Sequence, residues 1–436
     1  MIKPQNSKIF YGWYIIGFGT LGVLMSVPGQ TIGISTFTDY LIEALNLTRG
    51  QLSTAYMFGT ISSSFLLTYG GKMYDKHGAR KVSAVAAIGM GSILLYLSFS
   101  EAISQSAISV LPFIPEWIVS AFVVFIGFFL LRFFGQGVLT MGSRNMIMEW
   151  FEHRRGLANA LSGPFIALGF SVAPLVFDAF INFSGWQWAW RLMALIFGFG
   201  FSIIILIFYY DKPEKAGLKP DGNLSEARKT KSEKKNKVWH QYSLKNARKN
   251  FAFWIFIVSL SMFALYITGF TFHIVSVFEE AGISRQKALA VFIPSSVIAF
   301  LLNISGSWLS DYIKLKHLYK IMAAGGVIST IGLVSLEQSW AYYMVIAGNG
   351  ILHGMFGVLS AITWPKYFGR KHLGSISGFN QSFNVFFSAV GPWIFSQSLT
   401  LNGSYETAAY IVMGVWALLL FSSFFANNPQ EKWANY

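Results

Sequence analysis

The chain has 436 residues, of which 54% are hydrophobic, 17% aromatic and only 12% charged. A soluble domain carries about twice that charged share, and a mean hydropathy of +0.50 leaves too little polar surface to cover a soluble protein of this size. There is no cysteine, which excludes disulfides, thiolate metal sites and cysteine nucleophiles together. The net charge of +14 invites a nucleic-acid reading, so its placement along the chain decides more than its size.

Apolar stretches of roughly 20 residues, the length that crosses a hydrocarbon core as helix, recur throughout. Hydropathy predicts twelve spans, at 11–37, 50–71, 79–99, 117–148, 155–183, 187–209, 251–278, 285–309, 318–336, 339–364, 373–398 and 404–426. The first run is too long for the apolar core of a secretory signal and lacks a small-residue cleavage site.

Lys and Arg stay on the cytoplasmic side of membrane proteins, so the loops orient the spans. Loop 2–3 carries Lys72, Lys76, Arg80 and Lys81, loop 4–5 Arg154 and Arg155, loop 8–9 Lys314, Lys316 and Lys320, and loop 10–11 Lys366, Arg370 and Lys371. The opposite loops hold acids such as Asp39, Glu43, Glu101, Glu116, Glu279, Glu337 and Glu406. Both termini are therefore expected in the cytoplasm, and the charge reads as topology with no nucleic-acid partner. The expected location is the inner (plasma) membrane of a bacterium.

The stretch 211–250 holds twelve Lys and Arg and separates six spans from six, giving halves at 1–210 and 251–436 around a basic linker. Its run Arg228–Lys237 reads as a solvated or headgroup-facing segment, and Tyr242–Asn250 predicts a short surface helix. An internal duplication is visible. At an offset of 236, Glu43 pairs with Glu279, Thr48-Arg49 with Ser284-Arg285, Gly70 with Gly306 and Asp75 with Asp311. At an offset of 218, Gly156 pairs with Gly374, Pro174 with Pro392 and Phe177 with Phe395. The difference places extra residues in the first half, in the loop 100–116. Two homologous six-helix halves around one linker is transporter architecture, with the site expected near the midplane where the halves meet.

The loop Gly71-Lys-Met-Tyr-Asp75-Lys76-His-Gly78-Ala-Arg80-Lys81 resembles the loop 2–3 signature of the major facilitator superfamily, and Gly306-Ser-Trp-Leu-Ser-Asp311 resembles its weaker copy in loop 8–9. The resemblance implies an all-α membrane fold, twelve transmembrane helices in two pseudo-symmetric halves, working by alternating access. It assigns Gly71, Asp75, Gly78, Arg80 and Asp311 to a cytoplasmic gate, with Arg144 beside them. Within that superfamily, Tyr11-Gly12-Trp13, Phe151-Glu-His-Arg154-Arg155-Gly156-Leu157-Ala158, Lys212-Pro213-Glu214 through Gly222, and Tyr367-Phe368-Gly369-Arg370 look like the monocarboxylate-porter and oxalate/formate-antiporter group. Members of that group commonly hold the carboxylate with a cation in span eight or eleven. Here span eight, Val291–Ser305, has no Arg or Lys, and span eleven offers Asn380, Gln381 and Asn384.

Ionisable groups at membrane depth are rare and informative. Arg132 falls near the middle of span four, with Gln136 and Ser143 following on its face; it reads either as a substrate or coupling group, or as a buried anchor between helices. His353 in span ten and His273 late in span seven are candidates for proton coupling, since imidazole titrates near physiological pH. Asp178 in span five either carries the proton or pairs with Arg191. Polar stripes in spans one and eleven add Gln30, Asn380, Gln381 and Asn384 as candidate substrate contacts, with Tyr56 and Tyr266 beside them.

No phosphate loop, His-Glu-x-x-His metal motif or dinucleotide fingerprint is present, so neither a cofactor nor a metal is expected and the chain does not read as an enzyme. The sequence predicts a monomeric secondary transporter of a small organic anion in the lipid bilayer, coupled to protons. An exporter of amphipathic compounds is the alternative that the aromatic-rich spans favour. A transporter-derived sensor or an intramembrane enzyme is the alternative of another class.

Overall fold

The computed structural model describes residues 4–7, 9–222 and 238–433. The basic run Arg228–Lys237 therefore lies outside the described residues. Among the described residues there is no strand. Among the same described residues twelve long helices follow one another, here called spans one to twelve: Gly12–Gly29, Arg49–His77, Ala79–Ser98, Glu116–Trp150, Arg155–Ser184, Trp186–Phe208, Phe251–Glu280, Gln286–Leu309, Leu315–Val334, Ala341–Tyr367, Leu373–Asn402 and Glu406–Ser422. Ten are both long and apolar enough to cross a membrane. Spans two and eleven reach 29 and 30 residues but dilute their apolar surface with Ser, Thr, Asn and Gln. The protein is a multi-pass integral membrane protein.

Lipid-facing surface explains apolar side chains that a soluble protein would hide. In span five Phe165, Leu168 and Leu175 are exposed, and in span eight Ile293, Val297 and Leu301 form one exposed row at helical spacing.

The chain divides into two compact units: residues 1–150, 165–222 and 377–382, and residues 151–164, 223–376 and 383–436. Within the first unit span one packs on four and six, span two on four, and span three on four and six. Within the second, span seven packs on ten and twelve, span eight on ten, and span nine on ten and twelve. Each pairing returns six spans later, so the duplication seen in the sequence is a duplication of packing. Its glycines serve the same purpose in each copy. A side chain at Gly70 would meet Val138 of span four at 2.9 Å, and one at Gly306 would meet Met355 of span ten at 2.6 Å.

Four features depart from the predicted elements, one of them a π-helical stretch, Ala194–Gly200, inside span six. Span one does not run straight to 37: Pro28 supplies no N–H, and the chain passes through a tight turn, Val27–Gly29, before the short helices Thr31–Ser35 and Thr38–Ala44. The loop 100–116 contains an eleven-residue helix, Ser100–Val110, whose Ser104 is bonded to Ser120 of span four at 2.7 Å. Span four widens into a π-helix over Arg132–Leu139, and Thr140 Oγ1 donates to the Gly135 carbonyl there at 3.2 Å. The predicted surface helix after the linker is present as Leu244–Ala247, capped by the Ser243 hydroxyl.

Candidate functional site

The break in span one and the π-segment of span four are built against each other. A Cβ at Gly29 would lie 2.6 Å from the Leu131 carbonyl and 2.8 Å from the Gly135 Cα, so only bare backbone fits on both sides. This close approach sets Thr31 beside Arg132.

Arg132 is 2% exposed. Its Nη1 donates to Thr31 Oγ1 at 3.1 Å, and its guanidinium carbon lies 5.3 Å from the centre of the Tyr56 ring. Tyr56 in turn donates its hydroxyl to the same Thr31 oxygen at 2.8 Å. A cation over an aromatic face gains up to about 2 kcal/mol when desolvated. Among the described residues no carboxylate pairs with Arg132, and its Nε is buried without an acceptor. A buried, uncompensated charge is costly and calls for a counter-charge.

A second polar cluster lies further along span four. Gln30 Nε2 donates to Ser26 Oγ at 3.3 Å and to Thr140 Oγ1 at 3.1 Å, and the two hydroxyls are 2.7 Å apart. Arg144, one turn beyond Thr140, makes no hydrogen bond or ion pair with any described residue, and its Nε is buried. In span eleven Asn380 is 4% exposed with its Oδ1 unpartnered among the described residues. Asn384, 6% exposed, accepts from Ser261 Oγ at 3.3 Å. Gln381 is half-buried.

Tyr266 is fully buried, and its hydroxyl bonds Ser329 of span nine at 2.7 Å, which continues to Asn349 at 3.1 Å. That hydroxyl holds helices together. His353 bonds the Asn349 carbonyl through Nδ1 at 3.0 Å, which places a proton on Nδ1; its ring lies edge-on to Phe263, 5.0 Å between centroids, and its Nε2 makes no hydrogen bond with any described residue. His273 has both nitrogens engaged: Nε2 with the Pro392 carbonyl at 3.0 Å and Nδ1 with the Tyr405 hydroxyl at 3.2 Å. Pro392 cannot bond the Ser388 carbonyl one turn back, and Thr268 of span seven donates to that oxygen at 2.9 Å instead. Asp178 is exposed and accepts from Asn182 at 2.9 Å. Arg191 does not reach it, lying instead over Phe99 and Trp188 and donating to Ser98.

The gate candidates are held by specific contacts. Gly78 ends span two at φ 85°, and two residues on, Arg80 donates its backbone N–H to Asp211 Oδ1 at 2.9 Å. Asp211 also accepts from Lys215 at 2.8 Å. Arg80 donates through Nη2 to the Leu206 carbonyl. Gly71 is approached within 3.1 Å by the position a Cβ on Gly378 would take. Asp75 lies in the last turns of span two, partly buried. Asp311 accepts the backbone N–H of Gly156, at the start of span five, at 3.0 Å. Burial pushes the Asp311 carboxyl up to about 6, against the Gly156 and Leu157 N–H groups and the nearby Lys366 and Arg155.

The sequence alone did not single out Thr31 or Asp211. Thr31 directly follows the Pro28–Gly29 break and Gln30, which is the signal that could have marked it. Asp211 is the first acid after span six, facing the glycine of loop 2–3. A cavity of about 270 Å³ lies elsewhere, lined among others by Glu101, Glu116 and Trp117. Sixteen residues of helix, about 24 Å, separate Glu116 from Arg132.

The sequence profile of the Major Facilitator Superfamily matches residues 19–392. The chain belongs to the Major Facilitator Superfamily. Its members are non-enzymatic carriers, and this protein is a membrane carrier. The proton:xylose symporter XylE bound to 6-bromo-6-deoxy-D-glucose has a similar fold, with a TM-score of 0.67 at 18% identity over 97% of this chain and 98% of that one. A double-tryptophan mutant of XylE scores 0.64 at 17% identity, covering 98% of each chain. The human organic anion transporter MFSD10 (TETRAN) scores 0.56 at 12% identity, covering 95% of this chain and 99% of that one. No curated protein matches the sequence.

Proposed function

We propose that this carrier is a secondary active transporter of a small organic anion, a monocarboxylate, driven by protons through alternating access. The observation that carries the reading is Arg132: a guanidinium buried at mid-span with no carboxylate beside it among the described residues. An anionic substrate supplies the missing charge. Of the similar carriers, one is named for a sugar and one for organic anions; a neutral sugar would leave Arg132 uncompensated. The local resemblance to the monocarboxylate-porter and oxalate/formate-antiporter group supports the same substrate class.

In this reading Arg132 binds the carboxylate, Thr31 and Tyr56 hold Arg132 in place, and Gln30, Asn380, Gln381 and Asn384 orient the substrate. His353, whose Nε2 has no hydrogen-bond partner among the described residues, exchanges the proton; His273 is the second candidate and Asp178 the third. Gly71, Asp75, Gly78, Arg80, Arg144 and Asp311 form the gate. The carrier acts as a monomer in a bacterial inner membrane with both termini cytoplasmic.

The test is uptake of labelled lactate, pyruvate, formate and oxalate into proteoliposomes, with and without an inside-alkaline pH gradient. Gradient-driven accumulation of at least one is the expected result. Exchange that ignores the gradient would overturn proton coupling, and no uptake by folded protein would overturn the substrate class.

A further inference from the structure

The π-segment of span four aims two unsatisfied side chains in one direction. Phe134 lies against span three, where a Cβ on Gly89 would meet its ring at 2.9 Å. A Cβ on Gly135 would lie 2.8 Å from the Gly29 Cα of span one, and one on Gly137 would run into Leu67 of span two. With those directions taken, positions 132 and 136, one turn apart, share the remaining sector between spans one and two. Arg132 confirms that direction, because it touches Thr31 after the span-one break and Tyr56 in span two.

Both side chains are short of partners. With Nη1 held by Thr31, neither Nε nor Nη2 of Arg132 has an acceptor among the described residues. Those two atoms are the side-on fork of a guanidinium, which matches the two oxygens of a carboxylate. The Gln136 amide makes no hydrogen bond with any described residue either, and its Oε1 is buried. Buried polar groups in folded proteins are satisfied as a rule, so two orphans on adjacent turns require a common explanation.

We infer that Arg132 and Gln136 form a paired substrate grip: the Arg132 fork takes a carboxylate side-on, and the Gln136 amide binds a polar atom carried next to it on the substrate. This rests on the anion reading above and narrows it to carboxylates with a neighbouring hydroxyl or carbonyl. Residues four apart share a face in this turn as they do in an α-helix, so the two side chains can meet one ligand.

Lactate and propionate differ only in the 2-hydroxyl, so their uptake separates the two contacts. Gln136→Met is expected to raise the lactate KM roughly tenfold, the effect of one buried hydrogen bond, and to leave propionate within twofold. Propionate uptake also reports that the variant is folded; if Gln136→Met does not fold, Gln136→Asn, the same amide drawn back by one methylene, carries the comparison. Equal effects on both acids, or none, would overturn the role of Gln136. Arg132→Lys keeps the charge and loses the fork, and is expected to weaken both acids at least tenfold. Full activity of Arg132→Lys beside an inactive Arg132→Gln would overturn the fork and leave the anion reading standing. Wild-type protein that takes up neither acid, or an Arg132→Gln variant as active as wild type, would overturn the anion reading and the grip with it.

Discussion

The Thr31 hydroxyl accepts two hydrogen bonds, from Arg132 Nη1 at 3.1 Å and from the Tyr56 hydroxyl at 2.8 Å, and so fixes a buried cation against an aromatic ring. The relationship depends on the kink at Pro28–Gly29, which turns the chain so that Thr31 begins a new helix beside span four.

Thr31→Val keeps the shape and removes the acceptor. Losing one hydrogen bond to a charged group is expected to raise the carboxylate KM about tenfold, with kcat changed far less, because Arg132 stays in place as a charge but loses its fixed orientation. Initial-rate uptake over a range of concentrations checks the split. An unchanged KM would show that Thr31 does not position Arg132.

His353 and His273 make opposite predictions. Among the described residues the His353 Nε2 has no hydrogen-bond partner, whereas both nitrogens of His273 are tied to span eleven and to Tyr405. His353→Gln is expected to abolish accumulation against a pH gradient while exchange of labelled for unlabelled lactate stays within twofold. Persistent accumulation would move the proton to another group.

Much of this arrangement was legible in the sequence, and the remainder was not for identifiable reasons. Span number follows from the apolar runs, and the duplication follows from pairs such as Gly70 and Gly306, because close helix approach constrains single residues strongly. Arg132 was conspicuous because a cation at membrane depth is rare. Its setting was hidden. The π-segment leaves no mark in hydropathy, since it arises where Gly135 meets Gly29 of a distant span. Thr31 is one of many threonines, and its value comes from what the kink places beside it. Tyr266 reads from sequence like a cavity residue, yet Ser329 lies 63 positions away and claims its hydroxyl. The helix Ser100–Val110 was missed because its polar residues resemble a loop until Ser104 meets Ser120.

Asp311 predicts a pH dependence of stability. Its carboxyl is raised from the ordinary value to about 6, chiefly by burial. The folded state therefore holds this proton more tightly than the unfolded chain does. The stabilisation is fully present below about pH 4 and is lost as pH rises through about 6. Asp311→Asn cannot ionise and keeps an oxygen for the Gly156 N–H. It is expected to melt above wild type at pH 7.5 and level with it near pH 4, in detergent thermal unfolding. A gap that does not narrow as the pH falls would contradict the buried-carboxyl account.

Lactate uptake by Arg132→Gln in proteoliposomes, beside wild type of equal melting temperature, decides whether Arg132 binds the anion. Uptake is expected to fall to background, since an amide cannot replace the charge that draws the anion into the membrane. Uptake that persists near the wild-type rate would contradict that role and leave Arg132 as an anchor between helices.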